Sequence, residues 1–137
     1  MKTLRFLLTV MILALSVVAF VYASKKPTTK SDGPYTATCV AERDGLRVWG
    51  GAKVIGNQRV VNGAYFMGFT KLEPYGTLKS TSDHFLNGEF TVPYRQKPMN
   101  LGTGRLAVSA SAWGSATDGQ WYDGAAVSDK SKNHRGE

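Results

Sequence analysis

Gly104-Arg105-Leu106-Ala107-Val108-Ser109-Ala110-Ser111-Ala112-Trp113-Gly114 decides the fold. Its alanines and leucine would suit a helix. The order of the residues opposes that. Leu106, Val108, Ala110 and Ala112 alternate with Arg105, Ala107, Ser109 and Ser111. A period of two, rather than about 3.6, places one set of side chains on each face of an extended strand. Gly104 and Gly114 bound the run.

The same alternation recurs on both sides of this stretch. Tyr35, Ala37, Cys39 and Ala41 alternate with Thr36, Thr38, Val40 and Glu42, and Phe90, Val92 and Tyr94 alternate with Glu89, Thr91 and Arg95. Tyr65-Phe66-Met67-Gly68-Phe69 is apolar throughout, which predicts a central strand buried on both faces. Asp44-Gly45, Asn62-Gly63 and Asn87-Gly88 are hairpin dipeptides, with Gly56-Asn57 and Asp118-Gly119 as further turns, because these residues tolerate positive φ. Strands are expected near 35–42, 45–55, 58–72, 76–82, 88–95, 104–113 and 120–127. Short strands with turns at this spacing predict an all-β domain, a small antiparallel two-sheet sandwich or a small barrel. Pro93 inside its run marks an edge strand or bulge.

Phe90-Thr91-Val92-Pro93-Tyr94, a glycine-bearing loop, and Gly104 to Ala112 together resemble strand-loop-strand segments of bacterial immunoglobulin-like domains. The likeness spans residues 90–112. It implies an immunoglobulin-like sandwich and transfers no functional residue.

The start of the chain sets the compartment. Lys2 and Arg5 precede an uncharged apolar run from Phe6 to Ala23, which ends Val21-Tyr22-Ala23 before Ser24-Lys25-Lys26. Residues 1–23 therefore read as a secretory signal helix cut after Ala23. The alternative is a retained single-pass anchor, since the run approaches the roughly 20 residues that span a bilayer. Residues 24–34 read as a polar linker, 35–127 as the folded domain and 128–137 as a polar tail, because stretches without large apolar residues cannot offset their ordering entropy. The expected location is secreted or periplasmic, with membrane contact only through residues 1–23 if uncleaved.

Cys39 is the single cysteine, so no internal disulfide forms. Its phase with Tyr35, Ala37 and Ala41 predicts a buried thiol. The formal net charge is +7, and removal of Lys2 and Arg5 leaves +5 on the exported part. These charges are dispersed, apart from Lys130-Ser131-Lys132-Asn133-His134-Arg135. Such a distribution serves solubility and attraction to acidic surfaces. No basic stripe interleaved with aromatics points to nucleic acid.

Little catalytic chemistry is legible. The histidines are His84 and His134. Asp83 and His84 are neighbours, but adjacent strand residues face opposite ways. One cysteine and two histidines fall short of a zinc set, and no cofactor motif is present. Asp118-Gly119-Gln120-Trp121-Tyr122-Asp123-Gly124 is the most concentrated feature, with two carboxylates flanking an aromatic pair. Calcium takes such oxygens, but the spacing of a calcium loop is absent, and Asp-Gly is first a turn. Trp49 and Trp113 fall out of phase with their apolar neighbours, which predicts that they face away from the core. Trp113, Trp121 and Tyr122, with Asp118 and Asp123 as polar rim, form the expected ligand-binding surface. The sequence thus predicts an exported, non-enzymatic binding or interaction module whose partner is an envelope protein or glycan. The alternatives are a membrane-anchored assembly subunit of an envelope complex, or an inhibitor or enzyme acting on envelope polymers.

Overall fold

The computed structural model describes residues 25–133. The apolar segment 1–23 and His134 lie outside the described residues. Eight strands run in chain order: β1 Thr28–Asp32, β2 Tyr35–Asp44, β3 Arg47–Gly56, β4 Val60–Leu72, β5 Gly76–Leu86, β6 Phe90–Asn100, β7 Arg105–Ala116 and β8 Trp121–Lys130. They form two antiparallel four-stranded sheets, β1-β2-β3-β6 and β5-β4-β7-β8. No ladder joins the two sheets among the described residues, so the layered arrangement holds rather than the closed barrel.

The period-two pattern decides which side chains meet between the layers. Tyr35, Ala37, Cys39 and Ala41 of β2, Val48, Ala52 and Val54 of β3, Tyr65, Met67 and Phe69 of β4, and Leu106, Val108, Ala110 and Ala112 of β7 form one buried cluster. Each large apolar side chain buried here contributes roughly 1.5–3 kcal/mol. Cys39 is fully buried among them, and its burial beside Asp129 pushes the thiol pKa up to about 12.

The aromatic half of this core sits toward β5 and β6. Phe90 stacks on Tyr65 at 6.2 Å between ring centroids, and Tyr94 meets Phe69 edge-on at 4.9 Å. The other half is built mainly from small residues, Ala37, Cys39, Ala41, Ala110, Ala112 and Ala125, with Tyr122 and Val127 packed against them, and the sheets approach closely enough to bond directly. The Asp32 carboxylate accepts the Gly124 N–H at 2.8 Å, and the Asp129 carboxylate accepts the Ala41 N–H at 2.9 Å.

Several local features differ from the sequence reading. Strand β1 lies inside the segment 24–34 that composition marks as a linker. Its side chains are mostly exposed, and its order comes from the backbone ladder to β2 and from Asp32. The polar segment after Val127 likewise continues β8 to Lys130, and Ser131 is buried, its hydroxyl accepting the Leu106 N–H at 2.9 Å. Asn62-Gly63 makes no hairpin. Asn62 has φ +51° and sits in a bulge of β4 opposite β7, which keeps the long strand in register with two neighbours. Asn87-Gly88 connects the two sheets instead of closing a hairpin. Strand β4 is central, but Phe66 is 37% exposed on its outer face, so only one face is buried in full. Its ring covers Gly68, where an added Cβ would stand 2.9 Å from Phe66 Cε1.

Candidate functional site

Strands β7 and β8 form a hairpin across residues 117–120, with Ser115 opposite Trp121 and Gly114 opposite Tyr122. Adjacent residues face opposite ways, so the two aromatics separate. Tyr122 turns inward and is half-buried, packed against the core. Trp121 turns outward and is 60% exposed.

Between Tyr122 and Ala125 the register shifts, so that Asp123 and Gly124 together oppose Trp113. A bulge frees a backbone N–H from its ladder, and the Gly124 N–H is the one that Asp32 takes. Asp123 is exposed. Beneath the hairpin, Gly33 in the β1–β2 turn has φ +55°, and a Cβ there would stand 2.5 Å from Tyr122 Cδ1. Only glycine meets both conditions without strain.

Asp118 closes the tip. Its Oδ2 accepts the Tyr122 hydroxyl at 2.6 Å and the Arg59 guanidinium at 2.9 Å, while Oδ1 accepts the Gln120 N–H at 2.9 Å. The Tyr122 hydroxyl first, then the Gln120 N–H and the Arg59 charge, hold the Asp118 carboxyl below the usual carboxylate range. The same hydrogen bond raises the Tyr122 pKa. Asp118 is therefore a brace for the hairpin, with its oxygens already engaged. Sequence reasoning had no means to find Arg59, which reaches Asp118 from the β3–β4 turn.

Trp113 also faces outward, opposite Ala64 on β4, and is half-buried. Phe66 stands on the same face, opposite Ser111. Phe66 on β4, Trp113 on β7 and Trp121 on β8 thus step diagonally across the outer face of one sheet. Small residues surround them: Gly68, Ser109, Ser111 and Ser115. Of the residues expected to form a ligand surface, Trp113 and Trp121 share this face, whereas Tyr122 and Asp118 support it from behind and from the tip. Phe66 is an addition, hidden in the sequence by the uniformly apolar run around it.

Trp49 faces outward on the other sheet, opposite Glu42, and its indole N–H donates to Glu42 Oε2 at 3.1 Å. The Asp83 carboxylate accepts the backbone N–H of its neighbour His84 at 2.8 Å. No group of three or more His, Cys, Asp and Glu among the described residues is placed to hold a metal ion. No protein-family model matches the chain, and no curated protein or solved structure matches it.

Proposed function

We propose that the chain is an exported, non-enzymatic binding module of immunoglobulin-like fold, acting in the cell envelope or outside the cell on a protein or glycan partner. The carrying observation is the diagonal Phe66, Trp113 and Trp121 on one outer sheet face, ending in a tryptophan that is 60% exposed. Keeping a large aromatic in water forfeits burial, and partly exposed aromatics on a rigid support are the groups that anchor partners. The brace of Tyr122, Asp118 and Arg59 supports this reading, since it fixes the hairpin that carries Trp121.

The strand order supports the finer fold assignment. Strands β2-β3-β6 face β5-β4-β7-β8, and the β3–β4, β5–β6 and β6–β7 connections cross between the sheets. In immunoglobulin terms this is A-B-E facing C′-C-F-G, with β1 as an added edge. Export rests on the apolar run up to Ala23, and mass spectrometry of the native N-terminus tests it: a start at Ser24 is expected, and a start at Met1 in the membrane fraction selects the anchored alternative.

The binding surface is tested with Trp121→Ala on a glycan array and against purified envelope proteins. Affinity for whatever the native protein binds should fall by about tenfold or more, with little change in melting temperature. A drop of several degrees in melting temperature, with every bound ligand retained, would show that the aromatics serve the fold alone.

A further inference from the structure

Each sheet has two edges, and three of the four edge strands carry features that obstruct a further strand. β6 contains Pro93 and Pro98, which have no N–H to donate. β1 and β8 lie against each other, tied by Asp32 to Gly124, and β8 is bulged. β5 has no proline, and its two bulges, at Leu78 and Phe85, lie outside the regular stretch 79–84. It pairs with β4 alone. Phe90 and Tyr94 of β6 pack on Tyr65 and Phe69 of β4, and Lys79 reaches inward over the Tyr94 ring at 5.5 Å, so the opposite sheet meets the inner face of β5 while its outer hydrogen-bonding edge stays open.

The β5 sequence is patterned in a way that selects one occupant. Register shifts at Leu78 and Phe85 leave a regular stretch over residues 79–84. Lys79, Thr81 and Asp83 stand opposite Phe69, Met67 and Tyr65, so all three lie on the face turned toward the core side of the sheet. An inward charge on an edge strand repels any partner that lacks the counter-charge. Lys79 and Asp83 are placed symmetrically about Thr81, and a second antiparallel copy of the same strand supplies both counter-charges at once.

We propose that β5 is a self-recognition edge, pairing antiparallel with β5 of a second copy about a twofold axis through Thr81. Lys79 of each copy then lies opposite Asp83 of the other, Ser80 opposite Ser82, and Thr81 opposite Thr81. Antiparallel registers that keep the same face inward differ by two residues. Sliding the strand by that step in either direction sets Lys79 or Asp83 against Thr81 and loses both ion pairs. The pairing joins two four-stranded sheets into one continuous eight-stranded sheet, and the symmetry is isologous. A single strand pair buries less than a standard interface of about 1,200–2,000 Å², so the dimer is weak and reversible. The surface is separate from the β7–β8 hairpin and does not depend on its function.

Sedimentation velocity on the protein purified from cells expressing the full chain, up to about 1 mM, tests the proposal. The native protein should show a concentration-dependent dimer. Lys79→Asp and Asp83→Lys each place like charges opposite one another twice, and each should weaken self-association by about tenfold or more, with melting temperature and far-ultraviolet spectrum preserved. Mixing the two variants sets both carboxylates of one strand against both ammonium groups of the other, and should restore dimer as the heterodimer. A native protein that stays monomeric, variants that dimerise like the native protein, or a mixture that remains monomeric would each overturn the pairing.

Discussion

The two margins of the sandwich are built on opposite plans. At the β1/β8 margin the core side chains are small apart from Tyr122, and the sheets come near enough for Asp32 and Asp129 to bond backbone N–H groups across the gap. At the β5/β6 margin the core side chains are rings, held edge-on or stacked, and Lys79 lies over the Tyr94 ring at 5.5 Å. One margin is latched by polar groups because the sheets are close. The other is wedged by aromatics and remains open because they are not. Side-chain size, through close packing, thus sets where the sheets meet and where they part.

Loss of a latch should produce the largest effect. The Asp129 carboxylate bonds Lys25 at 2.8 Å and the Ala41 N–H at 2.9 Å. The Lys25 ion pair is partly exposed and contributes little. Asp129→Ala leaves the buried Ala41 N–H without its partner, which costs about 2–3 kcal/mol. Melting temperature should fall on the order of 10 °C. Thr91→Ala, on the outer face of β6, should stay within about 0.5 kcal/mol. Equal effects in a thermal scan would break the contrast between margins.

Alkaline titration sharpens it. The Cys39 thiol is fully buried and its pKa stands at about 12, against about 8.5 when exposed. Its folded pKa is raised, so the stability it confers is fully present below about pH 8.5 and is lost as pH rises toward 12. The loss approaches 1.4 kcal/mol per pH unit within that window. In denaturant melts between about pH 9 and 11, the native protein should therefore lose more stability than Cys39→Ala. Parallel pH profiles for the two proteins would mean that water reaches the thiol.

The smallest effect belongs to the open margin. Tyr94→Leu removes the ring contacts with Phe69 and Lys79 but keeps apolar bulk, and should cost about 1 kcal/mol or less. A loss matching Asp129→Ala would show that the wedge, not the latch, limits stability.

What the sequence makes legible follows from what each segment uses to stay ordered. β2, β6 and β7 advertise themselves through alternating residues, β4 through its apolar run, and β3 and β5 through the turn residues around them; the inward phase of Cys39 and outward phase of Trp113 follow from the alternation. β1 and residues 128–131 bury almost no apolar area. Their order depends on a ladder to β2, and on Asp32, Asp129 and Ser131 reaching residues distant in the chain, which composition does not register. At the candidate site, parity separates Trp121 from Tyr122, but it cannot say which one faces water. The outward turn of Phe66 and the reach of Arg59 to Asp118 depend on sheet pairing and on a neighbouring turn.

Arg43 gathers one pole of the fold. Its guanidinium donates to the carbonyls of Gly45, Gly102, Gly104 and Lys132, while Lys25 bonds the Ala41 and Lys130 carbonyls nearby. Lys25 and Lys132 line one cavity of about 380 Å³, so the chain enters and leaves the described fold at one pole. The turns carrying Arg59, Asp118 and Trp121 crown the other. A tether at either end, natural or engineered, would therefore present the aromatic face away from its point of attachment. Tandem fusion through neighbouring ends would leave that face unobstructed.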